Sequence, residues 1–147
     1  MITVRDLLRR KGHDVWSVTP DTTVYDALRL MADKNIGAVL VLDGDQVVGI
    51  LSERDYARKV VLRGRSSLNT PVSDIMTTKV YYVHPDQSIE ECMGLMTDKR
   101  IRHLPVVEDG RLVGVISIGD VVKEIIEQQG ITIRHLENYI MGVGYGR

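Results

Sequence analysis

The chain has 147 residues, of which 44% are hydrophobic and 27% are charged, and its formal net charge is −1. This composition is typical of a globular domain that buries a core, and it gives no overall basic field for binding nucleic acid or an anionic membrane. The single cysteine, Cys92, excludes an intramolecular disulfide framework and a thiolate zinc site.

Targeting signals and membrane spans are not expected. No apolar run approaches the roughly 20 residues that a membrane span needs. The N-terminal stretch is basic but lacks the apolar run of a secretory signal, and Asp6 and Asp14 interrupt it in a way unlike a transit peptide. We therefore expect a cytoplasmic protein that binds neither nucleic acid nor a membrane. The histidines also show no metal-ligand spacing, so we expect no metal site.

The first half of the chain has the pattern of a β-α-β-β-α unit. A short extended piece ends at a Thr-Pro-Asp turn signal, and the apolar residues that follow recur at i, i+3, i+4 and i+7, which predicts a helix beginning near Val24. Thr23 and Asp26 resemble a capping box at its start. Two apolar runs, 38–42 and 47–51, predict a hairpin across a Gly-containing turn, and a second helix is predicted over about 55–62.

The second half repeats this order after a connector at 62–71. Its extended piece ends at His-Pro-Asp, and Ser88 with Glu91 resembles a capping box before a helix that begins near Ile89. Strands are predicted at 104–107 and 112–116, followed by a helix over about 120–129. Beyond residue 131, Ile133, Leu136 and Ile140 have the spacing of a further short helix.

The two halves align without a gap at an offset of 65 residues. Between 17–61 and 82–126, 13 of the 45 aligned pairs are identical. Such a repeat indicates two copies of one supersecondary unit. We therefore predict a mixed α/β fold with repeat one at 1–66, including an N-terminal leading segment, repeat two at 67–130, and a C-terminal tail at 131–147.

The motif Gly-x-x-Ser-x-x-Asp occurs once in each copy, at residues 49–55 and at residues 114–120. Its structural interpretation is a helix cap, because Ser at the first position of a helix often pairs with an acidic residue three positions on. Its functional interpretation uses the same geometry. Amides at a helix start suit a phosphate, and a carboxylate one turn later accepts hydrogen bonds from a ribose diol. The two glycines either relieve strand crowding or let a ligand approach.

With these motifs the chain resembles a tandem of cystathionine β-synthase (CBS) domains over roughly residues 4–129. IRHLPVVEDGRLVGVISIGDVV in copy two fits that pattern closely, whereas in copy one Leu40 stands where the family usually has proline. The resemblance implies a compact α/β module with a pseudo-twofold axis, and adenosine-containing ligands bound in the cleft between the copies. It implies regulation and no catalytic chemistry.

The resemblance also implies two crossed sites, each joining the Ser-x-x-Asp of one copy to the leading segment and first hairpin strand of the other. The first would consist of Ser52, Arg54, Asp55, Thr77, Val80, Arg102, His103, Leu104 and Pro105. The second would consist of Ser117, Gly119, Asp120, Gly12, Val15, Gly37, Ala38, Val39 and Leu40. Because the first gathers Arg54, Arg102 and His103, which can neutralise phosphates, we expect it to be the stronger site.

We therefore expect a sensor that is not an enzyme, binds AMP, ATP, NAD or NADH without a catalytic cofactor, and signals to a partner protein. The alternative is a scaffold protein whose nucleotide cleft is vestigial and whose Ser-x-x-Asp motifs only cap helices. The resemblance also implies a homodimer that pairs through helices. Val60, Val61, Ile125 and Ile126 could serve either the core or that interface.

Overall fold

The structure, a computed structural model, describes residues 1–141, except for the side chains of residues 131–133 and 141. The last part of the predicted tail, residues 142–147, lies outside the described residues. Among residues 1–141, no helix combines the length and the apolar character needed to cross a lipid bilayer. The same residues contain no group of three or more His, Cys, Asp or Glu side chains arranged to hold a metal ion.

The two copies of the repeat form matching helices and hairpins. Copy one contains the helix α1 (Val4–Lys11), the strand β1 (Ser17–Val18), the helix α2 (Val24–Lys34), the strands β2 (Ala38–Asp43) and β3 (Gln46–Ser52), and the short helix α3 (Glu53–Tyr56), which continues as a π-helical turn at Ala57–Val61. Copy two contains a 3₁₀ turn at Val72–Asp74, the helix α4 (Ile89–Lys99), the strands β4 (His103–Glu108) and β5 (Arg111–Ser117), and the helix α5 (Ile118–Met141).

The hairpins confirm the strands predicted from the apolar runs to within one residue at each end. β2 pairs with β3 and β4 pairs with β5, both antiparallel, and the register shifts at the equivalent place in each, between Val41 and Leu42 and between Val106 and Val107. β1 adds to β2 in parallel. In copy two the corresponding segment contributes a single parallel bridge, from Val83 to Val106. The strand that each repeat was expected to begin with is therefore very short.

The C-terminal helix differs from the prediction. A helix ending near residue 129 and a separate short helix after residue 131 were expected, but α5 runs without a break to Met141. Gly130 lies inside it. A glycine in a helix interior costs about 1 kcal/mol relative to alanine, which weakens a helix without ending it when no proline follows. The prediction was wrong because Gly130 is not a helix end.

The two copies exchange their leading segments, which are α1 in copy one and residues 72–76 in copy two. Val4, Leu7 and Leu8 of α1 are buried in one core cluster with residues of copy two, while Val72 and Ile75 are buried in a second cluster with residues of copy one. Backbone hydrogen bonds fix this exchange, for example from Val4 N to Gln87 O at 2.9 Å and from Val72 N to Thr22 O at 2.7 Å. Each hydrophobic core is thus completed by the other repeat.

The motif glycines serve this exchange. A Cβ added at Gly49 would lie 2.6 Å from Met76 Sδ, and one added at Gly114 would lie 2.8 Å from Leu8 Cδ2. Both distances are well below van der Waals contact. Of the two interpretations left open by the sequence, the packing of the other copy's leading segment accounts for both glycines.

Candidate functional site

Both Ser-x-x-Asp motifs form helix caps. At the start of α3, Ser52 Oγ accepts a hydrogen bond from Asp55 N at 3.2 Å, while Asp55 Oδ2 accepts from Ser52 N and Ser52 Oγ, both at 3.0 Å. At the start of α5, Ser117 Oγ accepts from Asp120 N at 3.1 Å, and Asp120 Oδ2 accepts from Ser117 N at 2.8 Å. The capping function predicted from the sequence is therefore present in both copies.

The second oxygen of Asp55 is also occupied. Asp55 Oδ1 accepts from Thr77 Oγ1 at 3.1 Å and lies 3.0 Å from Lys59 Nζ, which also donates to Ile75 O at 2.9 Å. Two carboxylate oxygens offer about four acceptor positions, and all four are used here by protein donors. With only 7% of the residue exposed, Asp55 is a buried carboxylate that links α3 to the leading segment of copy two.

Asp120 is more open. Its Oδ2 binds Lys11 Nζ at 2.6 Å, and Lys11 also donates to Val115 O at 2.6 Å. No protein hydrogen bond to Asp120 Oδ1 is present among the described residues. Burial opposes ionisation of this carboxyl, but the hydrogen bonds from Lys11 and Ser117 outweigh it and hold the pKa of Asp120 below its ordinary value. The carboxylate is therefore ionised at neutral pH and has one oxygen available.

A cavity of about 410 Å³, here named the Ser52 cavity, opens beside the first motif. It brings together seven of the residues predicted for the first site: Ser52, Arg54, Asp55, Thr77, Val80, Arg102 and His103. Leu104 and Pro105 do not line it, and both side chains are buried. Residues that sequence reasoning missed also line it: Gly37, Ile50, Glu53, Lys79, Tyr81, Arg100 and Ile101.

A second cavity of about 470 Å³, here named the Ser117 cavity, lies beside the second motif. It includes all the residues predicted for the second site except Gly119, namely Ser117, Asp120, Gly12, Val15, Gly37, Ala38, Val39 and Leu40. The sequence did not predict Asp14, Trp16, Asn35, Ile36, Ile50, His103 or Val115 as lining residues, and it placed Lys11 only next to the site.

The two cavities differ in charge. Four cationic residues line the Ser52 cavity, Arg54, Lys79, Arg100 and Arg102, and none of them forms an ion pair with a carboxylate of the described residues. At an offset of 65, their counterparts in copy one or copy two are Gly119, Asp14, Asn35 and Gly37. The Ser117 cavity instead is lined by Lys11, which pairs with Asp120, and by Asp14. Even with Glu53 and Asp55 counted, the lining of the Ser52 cavity has more cationic than anionic groups, whereas the lining of the Ser117 cavity has more anionic ones.

An aromatic residue lies at the same position in each cavity. Tyr81 lines the Ser52 cavity and Trp16 lines the Ser117 cavity, and the two are related by the 65-residue offset. Lys34 Nζ lies 4.2 Å from the centre of the Trp16 ring, whereas the nearest lysines of Tyr81 are 5.5 and 5.6 Å from its ring centre. The repeat itself could have identified these residues, because each lies four positions before the proline of the Pro-Asp turn of its copy.

His103 lines both cavities, together with Gly37 and Ile50. Burial is the main cause of a pKa below the ordinary value for this imidazole, and the positive charges of Lys11 and Arg102 add to it against the opposing effect of Asp120. The ring is therefore neutral at pH 7. An anion placed next to it would raise the pKa of His103, so anion binding just below neutral pH would be accompanied by proton uptake.

Comparison with known proteins agrees with the repeat. The family model described as CBS domain matches twice, at residues 4–62 and 72–127. The chain is 42% identical to the CBS domain-containing protein CBSX3, mitochondrial, of Arabidopsis thaliana, across 97% of this chain and 73% of that protein. A solved structure of a Burkholderia ambifaria protein with CBS domains superposes with a TM-score of 0.84 at 56% identity, covering 86% of this chain and 96% of that one.

The fold is also shared with a more distant structure. The CBS domain pair of protein MJ0100, solved in complex with 5′-methylthioadenosine and S-adenosyl-L-methionine, superposes with a TM-score of 0.77. At 22% identity, with 87% of this chain and 98% of that one covered, this likeness concerns the fold alone.

Proposed function

The chain belongs to the CBS domain family, and from that premise we propose that it is a non-catalytic sensor, which binds an adenosine-containing nucleotide and signals that state to a partner protein. The Ser52 cavity carries this proposal, because it combines a helix start, four cations and an aromatic ring. Its lining comes from both repeats. A bound nucleotide would contact both, and it would favour whichever relative arrangement of the repeats binds it better.

Each part of a nucleotide has a matching group in the Ser52 cavity. Arg54 and Arg102 present guanidinium groups, which bind phosphate in a bidentate manner. Tyr81 offers a ring face for the base. Asp55 is the expected acceptor for ribose hydroxyls, but it already accepts four hydrogen bonds. A ribose would therefore have to replace the hydroxyl of Thr77 or Ser52 at this carboxylate, which costs part of the binding free energy.

Arg100 supports a role for positive charge. It ends α4 in the left-handed conformation, with φ of 55°, and its counterpart Asn35 ends α2 with φ of 54°. Asparagine adopts this conformation readily, whereas for most residues it costs about 1 kcal/mol or more. Copy two thus places a less suitable residue at a strained position that lines the cationic cavity. Sites that bind ligands are where such strain is commonly found.

The Ser117 cavity fits a different ligand. Its two aspartates and single lysine repel a phosphate more than they attract it, while Asp120 Oδ1 is open to a ribose hydroxyl and Trp16 supplies an aromatic face. We assign to it an adenosine compound without phosphates. The ligands of the MJ0100 domain pair are of that chemical class. Phosphorylated nucleotides, namely AMP, ADP, ATP, NAD or NADH, belong to the Ser52 cavity.

One observation favours the alternative function of a scaffold protein. Both Ser-x-x-Asp motifs form helix caps, and Asp55 has no acceptor position left for a ligand. In a scaffold, the exposed cations of the Ser52 cavity would only be solvated. Ligand binding decides between the two functions.

The proposed sensor is a cytoplasmic homodimer. Val60 is 1% exposed and Ile125 packs against a core cluster, so both serve the core, whereas Val61 and Ile126 are 53% and 63% exposed. Such exposed aliphatic side chains are available for a contact between copies. Light scattering of the purified chain should then give twice the 16.5 kDa chain mass.

A thermal-shift panel tests the function. Purified protein is heated with AMP, ADP, ATP, NAD or NADH, and separately with adenosine or S-adenosylmethionine, which carry no phosphate. Because a ligand that binds the folded state alone raises apparent stability, we expect at least one phosphorylated nucleotide to raise the Tm. GMP serves as the control for adenine recognition. No shift with any compound, from protein shown to be folded by circular dichroism, would contradict the sensor and favour the scaffold.

A further inference from the structure

Nothing among the described residues covers α5 over residues 134–140. Every described side chain from Arg134 to Ile140 is exposed, including Leu136 at 57% and Ile140 at 76%. In the N-terminal half, Val121 and Glu124 face the module and are buried, while Val122 and Ile126 remain exposed at 42% and 63%. A single helix in water derives little stability from its own hydrogen bonds, so an exposed apolar stripe of this length calls for a packing partner.

The stripe has the spacing of a coiled coil. Its six positions follow one another at intervals of 4, 3, 4, 3 and 4 residues, which is the alternation of the a and d positions in a heptad repeat. We name them the α5 seam: Val122, Ile126, Gln129, Ile133, Leu136 and Ile140. The seam lies about a quarter turn from the face of α5 that contacts the module, at 100° per residue. A second helix can therefore lie along it without displacing the module.

The seam is complementary to itself when two helices run in opposite directions. Its positions are symmetric about residue 131, so that Val122 meets Ile140 of a second copy and Ile126 meets Leu136 of that copy. Each a position then faces a d position, as in antiparallel coiled coils. Gln129, the one polar seam position, falls next to the symmetry axis, where a polar group helps to fix the register.

Charge selects the antiparallel direction. Lys123 and Glu137 both occupy e positions of this heptad, and neither has an ion-pair partner among the described residues. In an antiparallel pair, e positions of the two helices face each other, so Lys123 of one copy would lie beside Glu137 of the other, twice by symmetry. In a parallel pair the flanking contacts are between e and g positions, where Lys123 would face no carboxylate.

From these observations we propose that two copies of the chain associate through an antiparallel coiled coil of their α5 seams. The contact buries the exposed aliphatic side chains of α5 and forms two Lys123–Glu137 ion pairs between subunits. It places the two modules at opposite ends of the helix pair. This inference goes beyond the proposed sensor function and holds whether or not a nucleotide binds.

A matched pair of variants tests the seam. Leu136→Asp introduces a charge into the seam, and Asn138→Asp introduces the same charge two residues away on the opposite side of the exposed helix. In sedimentation-equilibrium dilution series of the full chain, we expect Leu136→Asp to weaken self-association at least tenfold and Asn138→Asp to match wild type. Circular dichroism confirms that both variants keep the folded module. Equal association of both variants and wild type would overturn the proposal.

Two further measurements test the direction of the pair. Lys123→Glu and Glu137→Lys should each weaken association, and the double variant should restore it, since the charges face each other again. For the register, Ile126→Cys chains are mixed with Leu136→Cys chains under oxidising conditions. The native Cys92 is buried, and burial together with Glu91 and Glu90 raises its pKa to about 11, which keeps this thiol out of the reaction. Covalent dimers of one chain of each kind are expected. Preferential 126–126 dimers would overturn the antiparallel arrangement, while binding in the nucleotide panel is unaffected by either result.

Discussion

The Ser52 cavity and the Ser117 cavity are related by the duplication of the repeat, but their lining side chains are chemically different. Both are bordered by a capped helix start and an aromatic ring. The Ser52 cavity has four cations that form no ion pair with a described residue, together with Glu53 and an Asp55 carboxylate whose acceptor positions are all used, whereas the Ser117 cavity has a partly open carboxylate held by one lysine. The duplicated fold thus gives the two cavities equivalent positions and borders, and the side chains that differ between the repeats give them different charges.

The largest difference should appear when each motif carboxylate is removed. Asp55→Ala loses two capping hydrogen bonds, the Thr77 bond and the Lys59 ion pair in a buried place, which should cost about 3 kcal/mol of folding stability. Asp120→Ala loses a cap and a half-exposed ion pair with Lys11, which should cost about 1 kcal/mol. Equilibrium unfolding in urea measures both. Equal losses would mean that the two carboxylates are structurally equivalent.

Removing one cation of the Ser52 cavity should weaken the binding of a phosphorylated nucleotide. Arg102→Ala removes a guanidinium that has Gly37 as its counterpart, and it should weaken AMP binding by about ten- to a hundredfold, because a charge-assisted hydrogen bond contributes roughly 1.5–3 kcal/mol. Arg63→Ala, at an exposed arginine outside both cavities, is the control. Calorimetric titration gives the affinities. If adenosine binding falls as much as AMP binding, Arg102 does not contact phosphate.

A smaller effect, with opposite signs on stability and affinity, is expected at the ends of α2 and α4. Arg100→Asn installs the residue that copy one uses, so it should relieve left-handed strain and stabilise the fold by about 1 kcal/mol. The same change should weaken AMP binding several-fold, since it removes a cation from the Ser52 cavity.

The reverse exchange completes this test. Asn35→Arg should destabilise the fold by about the same amount and give the Ser117 cavity a cation that copy one lacks. Urea unfolding and calorimetry are run on both variants. A loss of stability in Arg100→Asn would show that Arg100 stabilises its own helix end and would remove it from the proposed site.

The repeat made much of this structure predictable from sequence. Apolar runs located both hairpins, and the 65-residue offset placed Ser52, Asp55, Ser117 and Asp120 at equivalent helix starts. Lys79, Arg100 and Tyr81 were missed because nothing in their local pattern distinguishes a cavity wall from a solvated surface. Only the packing of one repeat on the other brings them next to Arg54.

Nothing in the sequence indicated that protein donors occupy all the acceptor positions of Asp55. The motif that offers Asp55 to a ribose also surrounds it with donors, and two of these, Lys59 and Thr77, lie outside the motif. The length of α5 was missed for a different reason. Local helix rules treat Gly130 as a break, whereas the described helix continues through it.

The exchange of leading segments has a consequence for biosynthesis. The ribosome delivers α1 first, but Val4, Leu7 and Leu8 have their core partners in copy two, as far along the chain as Val121. The first repeat, meanwhile, lacks Val72 and Ile75 until the connector has been made. The apolar side chains of α1 therefore lack their packing partners until nearly all of the second repeat has been synthesised. A single repeat without its partner would leave apolar core side chains, such as those of α1, without their packing partners.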